Sequence, residues 1–273
     1  MSDISFLGGS GYICSSIRNA DFEQKFSLKF FSRRKSNNCF QYKNLSEISK
    51  SEIVFDFSQW ANGKDIEKYG LSKMHNHIIQ AKKKCRYYIF ISTLSIDINK
   101  KCNYKNDDYT TSKFNFEKFI LSEFKRNAFI LRIPSCFSKK PKNYSLIKLL
   151  FDRANGSSSV IKQPNKYTTG IGSQDIFDFI KVLIEKPDII PSMFGEKKIL
   201  CLGDGFAYQI KELDKFLKTF SQKNFDLMHD FNFPKNHKIN LIQDQKWYLQ
   251  SISFPVKLLK ALKIQKNNDI YNC

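Results

Sequence analysis

The sequence predicts an α/β protein, a doubly wound parallel sheet with helices on both faces and a smaller C-terminal lobe. Three observations predict it. Short β-rich apolar runs alternate with helix-spaced stretches through the first half of the chain, as strands buried on both faces by crossover helices do. The first of these runs ends directly in a glycine cluster, Gly8-Gly9-Ser10-Gly11. The 273 residues suffice for a large domain with an appended lobe, and 41% apolar with 26% charged content excludes wholesale disorder and collagen-like structure.

Taken in order, Ile4-Ser5-Phe6-Leu7 is the first buried strand and residues 12–19 the helix after it. Residues 26–31 alternate apolar and polar and give a second strand. Residues 53–57 and 87–91 are further strands. The helix between them, over 70–84, ends in lysines that suit a helix C-terminus. Residues 100–108 are polar and turn-like, and 109–125 place Phe116, Phe119, Ile120 and Phe124 at helical spacing. A strand over 128–133 is stopped by Pro134. After Cys136 the pattern loosens into a stretch rich in Lys, Pro and Asn, before a helix over 174–185 and a strand over 198–202. The expected division is therefore a sheet domain over 1–137, joined again by 172–204, and a smaller lobe over 138–171 and 205–273.

Charge is the compositional outlier: 45 Lys+Arg against 26 Asp+Glu leaves +19, which points to anionic partners or to a lysine-solvated surface. No nucleic-acid-binding module is recognisable, so no nucleic-acid partner is expected. The seven cysteines form no CxxC and no Cys/His cluster, and the four histidines show no ligand spacing. Neither a disulfide framework nor a metal site is expected. The first residues lack the features of a signal peptide, and no apolar run approaches the roughly 20 residues of a membrane span. A cytoplasmic protein with no membrane span is expected.

Gly8 and Gly11 stand where the first strand becomes the first helix, with Tyr12 and Ile13 opening that helix. A glycine turn at this point lets a pyrophosphate approach backbone N–H groups, the arrangement of a Rossmann-like dinucleotide site. Cys14 takes the place of the third glycine, which normally lets helix and strand pack closely. NAD-selective sites place a carboxylate at the end of the second strand; here the chain reads Ser32-Arg33-Arg34-Lys35. Without the acid, and with two guanidinium groups, the turn suits a 2′-phosphate. NADP(H) is the expected cofactor and NAD(H) the alternative.

Tyr-x-x-x-Lys puts a phenol and an ammonium one helical turn apart, where the cation can lower the phenol pKa from about 10. The spacing occurs at Tyr69/Lys73, Tyr109/Lys113 and Tyr144/Lys148, and a lysine-rich chain with twelve tyrosines produces such pairs by chance. Context separates them. Only Tyr109 follows a strand ending in hydroxyls, Ser92-Thr93, and precedes another core strand, so that Thr93 and Tyr109 can meet at the carboxyl edge of the sheet.

The ordered set of glycine turn, Ser92-Thr93, Tyr109-x-x-Ser112-Lys113 followed by Glu117, and Leu131-Arg132-x-Pro134 resembles the extended short-chain dehydrogenases/reductases, in the style of the nucleotide-sugar epimerase, dehydratase and reductase branch. The resemblance covers residues 1 to about 137 well and the rest loosely. It implies that Tyr109 is the general acid/base, that Lys113 lowers its pKa and binds the nicotinamide ribose, and that Thr93 hydrogen-bonds the reacting oxygen. Gly8, Gly11, Tyr12, Ile13, Ser32, Arg33, Arg34, Ser58, Lys113, Pro134 and Cys136 are the implied cofactor contacts. The lobe would bind a nucleoside-diphosphate sugar. Phe206, Tyr208, Phe225, Phe231, Phe233, Trp247 and Tyr248 are candidates to stack on its base, although such aromatics are more often core. A homodimer is an admissible assembly.

Three chemistries share that scaffold. A 4,6-dehydratase carries Asp-Glu after the threonine, and Leu94-Ser95 stand there instead. A 4-epimerase usually retains NAD. A reductase needs only hydride donation and one proton. The basic turn and short chain favour reduction of a nucleoside-diphosphate 4-keto-(6-deoxy) sugar by NADPH, in surface-polysaccharide sugar biosynthesis, with a 4-epimerase as the alternative. A dinucleotide-sensing regulator without catalysis is the reading from another class, and retention of Thr93, Tyr109 and Lys113 argues against it.

Overall fold

The computed structural model describes residues 3–18, 26–33, 35–36, 38–42, 45–58, 71–137, 145–221, 237–242, 246–249 and 252–271. These fall into two compact units, Met1–Ile133 with Gln174–Cys201, and Pro134–Ser173 with Leu202–Cys273.

The first unit is built on strands β1 (Asp3–Leu7), β2 (Ser27–Ser32), β3 (Phe40–Gln41), β4 (Ser51–Asp56), β5 (Cys85–Thr93) and β6 (Ala128–Ile133), together with the strand Ile199–Gly203. They pair in the order 199–203, β6, β5, β4, β1, β2, β3, and the pairings are parallel. The chain steps outward from β1 through β2 to β3, then resumes on the other side of β1 with β4. That reversal makes the β1/β4 boundary the switch point, where ligands bind outside the strand carboxyl ends.

Strand periodicity separates two apolar faces. Phe6 lies in register with Phe30 and Phe55, and the three rings stack across neighbouring strands at centroid separations of 4.7 and 5.2 Å. Such pairs add about 0.5–1.5 kcal/mol each to the area they bury. The opposite face presents Leu7, Phe31, Val54, Tyr88 and Phe90 to Met74, Ile78 and Ala81 of helix α2 (Leu71–Lys83) and to Phe116 and Ile120 of a later helix, Asp108–Glu123. Helix α1 (Tyr12–Arg18) follows the glycine turn, with Cys14 and Ile17 fully buried. A thiol is thus accommodated where a third glycine was expected, and burial pushes its pKa up, so that it packs as a small apolar group.

One element departs from expectation. The sequence reads as a polar turn from residue 100, but Ser95–Cys102 forms a helix, α3, with Ile96, Asp97 and Ile98 buried. Its isoleucines are β-branched and flank an acid, which hides the helical period. The helix stops at Asn103, whose φ of 54° is left-handed and whose N–H donates to Asn99. Asp107 then caps the next helix, α4 (Asp108–Glu123), accepting from the Thr110 N–H at 2.7 Å.

The second unit has its own core. Helices Leu146–Ala154, Ile210–Phe220 and Phe254–Tyr271 contribute Leu150, Phe151, Leu213, Leu217 and Leu258 to one apolar cluster with Phe254. Strand Phe206–Gln209 pairs antiparallel with Tyr167–Thr168 and with Lys238–Asn240. Strand Ser135–Phe137 runs parallel to Gly170–Gly172. Asp204 ties this unit together by accepting from the Tyr208 hydroxyl (2.6 Å) and the Phe254 N–H (2.7 Å). Of the aromatics considered for base stacking, Tyr208 is core and Phe206 packs against it, whereas Tyr248 is exposed. Phe225, Phe231 and Phe233 lie outside the described residues. Among the described residues no helix is long and apolar enough to cross a membrane.

Candidate active site at the strand carboxyl ends

Register brings the functional groups of the first unit to one edge. Leu7 pairs with Asp56, Asp56 with Phe90, and Thr93 with Ile133, so the glycine turn, Ser58 and Thr93 all leave the sheet at its carboxyl end.

The glycine turn is closed from below. Gly8 has φ 79°, and a Cβ there would lie 2.8 Å from the Phe57 carbonyl group and 2.9 Å from the Ser58 nitrogen. A Cβ on Gly9 would meet that of Phe30 at 2.9 Å. The Gly11 N–H donates to the Gly8 carbonyl and the Gly9 N–H to Phe31, each at 2.8 Å. With the turn pressed onto β2 and β4, Ser10 and Gly11 are exposed, and Tyr12 and Ile13 are half-buried at the start of α1. A backbone ridge bare of large side chains at the switch point fits a pyrophosphate.

At the end of β2, Ser32 is buried and its hydroxyl hydrogen-bonds that of Ser10 at 2.9 Å, tying the strand end to the glycine turn. Arg33 is exposed, and Arg34 lies outside the described residues. The sequence did not single out Arg18. Its Nη1 donates to the Gly9 carbonyl (3.4 Å) and to Cys39 Sγ (2.8 Å), bracing the same turn.

Thr93 and Tyr109 are brought together. Thr93 is buried, and its Oγ1 donates to Ser95 Oγ at 3.1 Å and accepts from the Ser95 N–H at 3.2 Å. Tyr109 sits half-buried in the first turn of α4 with its phenol close to the Thr93 side chain. Burial and the neighbouring Asp107 push its phenol above the ordinary value, and the nearby Thr93 hydroxyl pulls the other way. Lys113 follows one turn on, 3% exposed, with Nζ donating to the Ile91 carbonyl at 2.9 Å and 4.6 Å from the centre of the Phe90 ring. The expected lowering of the Tyr109 pKa by Lys113 is therefore not present in this state. The ammonium faces β5 instead of the phenol, and burial lowers its own pKa to about 8 against the pull of Asp56 and Glu117.

Helix α4 is anchored by a buried ion triad. Arg132 on β6 donates to both carboxylate oxygens of Glu117 (3.0 and 2.5 Å) and to Asp97 of α3 (2.7 Å). The Cys201 thiol, raised chiefly by burial and then by Asp97, stays protonated and donates to Asp97 at 3.9 Å. Sequence reasoning marked Glu117 and Arg132 as motif positions but missed Asp97, and it missed Asp56 altogether. Asp56 is buried and accepts from Tyr88 Oη (2.7 Å), Ser58 N (2.9 Å) and Ser58 Oγ (2.5 Å). An acid inside the apolar run Val54-Phe55-Asp56-Phe57 was the available signal. Ser58, expected to touch the cofactor, is engaged with Asp56 in this state.

Pro134 and Cys136 belong to the second unit, Pro134 buried and Cys136 half-buried at strand Ser135–Phe137. Tyr69 and Tyr144, the other tyrosines at Tyr-x-x-x-Lys spacing, lie outside the described residues.

No protein-family model and no curated protein sequence matches this chain. Solved structures do match it. UDP-glucose 4-epimerase from Thermotoga maritima, solved with UDP-glucose, superimposes with a TM-score of 0.62 at 13% identity, over 97% of this chain and 99% of the other. The dTDP-glucose 4,6-dehydratase of Bacillus anthracis, in complex with NAD, matches with a TM-score of 0.61 at 12% identity, over 99% and 98%. This chain has the Rossmann-like α/β fold of these structures. The same fold accounts for the match to the capsular polysaccharide assembling protein CapF of Staphylococcus aureus, with a TM-score of 0.57 at 17% identity, over 80% of this chain and 58% of that one. In this fold the glycine turn and the Thr93–Tyr109 pair occupy the carboxyl edge of one continuous parallel sheet.

Proposed function

We propose that the protein is an NADPH-dependent reductase of a nucleoside-diphosphate 4-keto-(6-deoxy) sugar, with Tyr109 as proton donor. The single observation that carries this reading is the closeness of the Thr93 and Tyr109 side chains at the end of β5, on the same sheet edge as the glycine turn. The cofactor would rest on Gly8, Gly11, Tyr12 and Ile13, with Ser32, Arg33 and Arg34 toward its 2′-phosphate and Ser58, Pro134 and Cys136 along it. Bound NADPH supplies a hydride to the keto carbon. Thr93 orients the carbonyl oxygen, and Tyr109, kept protonated by burial, gives its proton to that oxygen as charge develops. To hold the nicotinamide ribose, Lys113 would turn from the Ile91 carbonyl toward the cofactor. The second unit binds the sugar nucleotide in this reading.

A second reading, a nucleotide-sugar 4-epimerase, is favoured by the end-to-end likeness to the Thermotoga epimerase. Cofactor use separates the two. With a panel of nucleoside-diphospho-4-keto-6-deoxy sugars, absorbance at 340 nm should fall with NADPH and fall at least about tenfold more slowly with NADH, because no carboxylate ends β2. Equal rates with the two cofactors would refute the NADP preference. Epimer formation without net NADPH consumption would replace the reductase by the epimerase.

A further inference from the structure

A small cavity lies behind the carboxyl edge of the first unit's sheet. Asp56 and Ser58 line it from β4 and its exit, His77 from α2, and Lys113 from α4, with Met74, Ile78, Phe90 and Phe116 as apolar wall. Its volume of about 10 Å³ is at the lower limit for a single water molecule. Nothing so small takes a ligand, so the groups around it act on one another.

Their chemistry is unequal. Lys113 is buried, and a buried ammonium needs a counter-charge or loses its proton. The groups near it are the Phe90 ring and the Ile91 carbonyl from β5, Glu117 on its own helix, and Asp56 and His77, which line the same cavity. Glu117 is already committed through both carboxylate oxygens to Arg132. Burial disfavours the charged form of His77, whose Nε2 lies 3.8 Å from Asp56 and 3.5 Å from Ser58 Oγ. Asp56 is the remaining anion, and its position is fixed by Tyr88 and by two donors of Ser58.

We infer that Asp56 is a positioning residue that acts through Lys113, serving as the buried counter-charge that keeps the lysine an ammonium at the back of the reactive site. The catalytic consequence rests on the proposed role of Lys113; the charge pairing itself does not. The direction of the Lys113 pKa agrees with it, since Asp56 opposes the lowering caused by burial and the value stays at about 8.

The test is an NMR titration of ¹³C-labelled lysine side chains in the full-length protein, with Lys113 assigned from Lys113→Arg. In wild type the Lys113 signal should titrate near 8. In Asp56→Asn its midpoint should fall by about one pH unit or more, and Asp56→Glu should restore it. Tyr88→Phe keeps the charge and should leave the midpoint in place. Should Asp56→Asn not fold, Asp56→Asn with Tyr88→Phe removes the phenol left facing the amide and takes its place. A midpoint unchanged in either Asn variant would overturn the inference, as would a Tyr88→Phe shift equal to that of Asp56→Asn. The pH profile of kcat/KM is read in parallel. Its basic limb should follow Lys113 downward in Asp56→Asn. A lysine that shifts while the profile stays fixed would keep the charge pairing and reject the catalytic role of Lys113.

Discussion

Tyr109→Phe is expected to lower kcat about 10²–10⁴-fold with little change in KM, the range lost when a positioned proton donor is removed. The phenol is half-buried at the start of α4, close to Thr93, and shifted upward by burial and Asp107. A phenol is protonated at neutral pH, as a donor to a developing alkoxide requires, and the upward shift extends that state to higher pH. Phe fills the same space, so circular dichroism and the denaturation midpoint should match wild type. Thr93→Val should cost less, about tenfold, because it removes one orienting hydrogen bond and leaves the proton source. Single-turnover rates measured beside kcat separate a chemical defect from slow product release. Wild-type turnover by Tyr109→Phe would remove Tyr109 from the mechanism.

Arg132→Met should be the most destabilising substitution in the first unit. Arg132, Glu117 and Asp97 have side chains only 5%, 2% and 8% exposed, and removing the cation strands two buried carboxylates. Breaking such a group costs about 3–5 kcal/mol, which for a chain of this size lowers the melting temperature by roughly 10 °C. Helix α4 carries Tyr109 and Lys113, and Glu117 is its tie to β6, so activity should fall before the protein melts. The triple variant Arg132→Met, Glu117→Gln, Asp97→Asn removes all three charges and should recover most of the loss. Urea denaturation midpoints check both statements. An Arg132→Met midpoint at the wild-type value would show that the carboxylates find other partners.

The sheet was legible because its signals are local. Phe6, Phe30 and Phe55 sit in short β-rich runs, and parity along each strand assigns them to one face. The Thr93–Tyr109 meeting was legible because a strand end and the next long helix were both marked by apolar spacing. The lines of force behind the site were not. Asp97 and Arg132 are 35 residues apart, and no pattern announces their contact. Asp56 looks like an interruption in an apolar strand until Tyr88, Ser58, His77 and Lys113 are seen around it. The direction of the Lys113 ammonium, away from the phenol, likewise depends on the placement of the Ile91 carbonyl and the Phe90 ring. Spacing fixes only that Tyr109 and Lys113 share one face of a helix.

The central claim is net reduction at the keto carbon, and transfer of a deuterium label reports on it most directly. NADPH carrying deuterium at the reactive C4 position of the nicotinamide would be incubated with the protein and a nucleoside-diphospho-4-keto-6-deoxy sugar, and the product analysed by mass spectrometry and proton NMR. The account predicts one deuterium on the new carbinol carbon for each NADPH consumed, with transfer lost in Tyr109→Phe. Interconversion of sugar epimers with no deuterium incorporated and no NADPH consumed would contradict it.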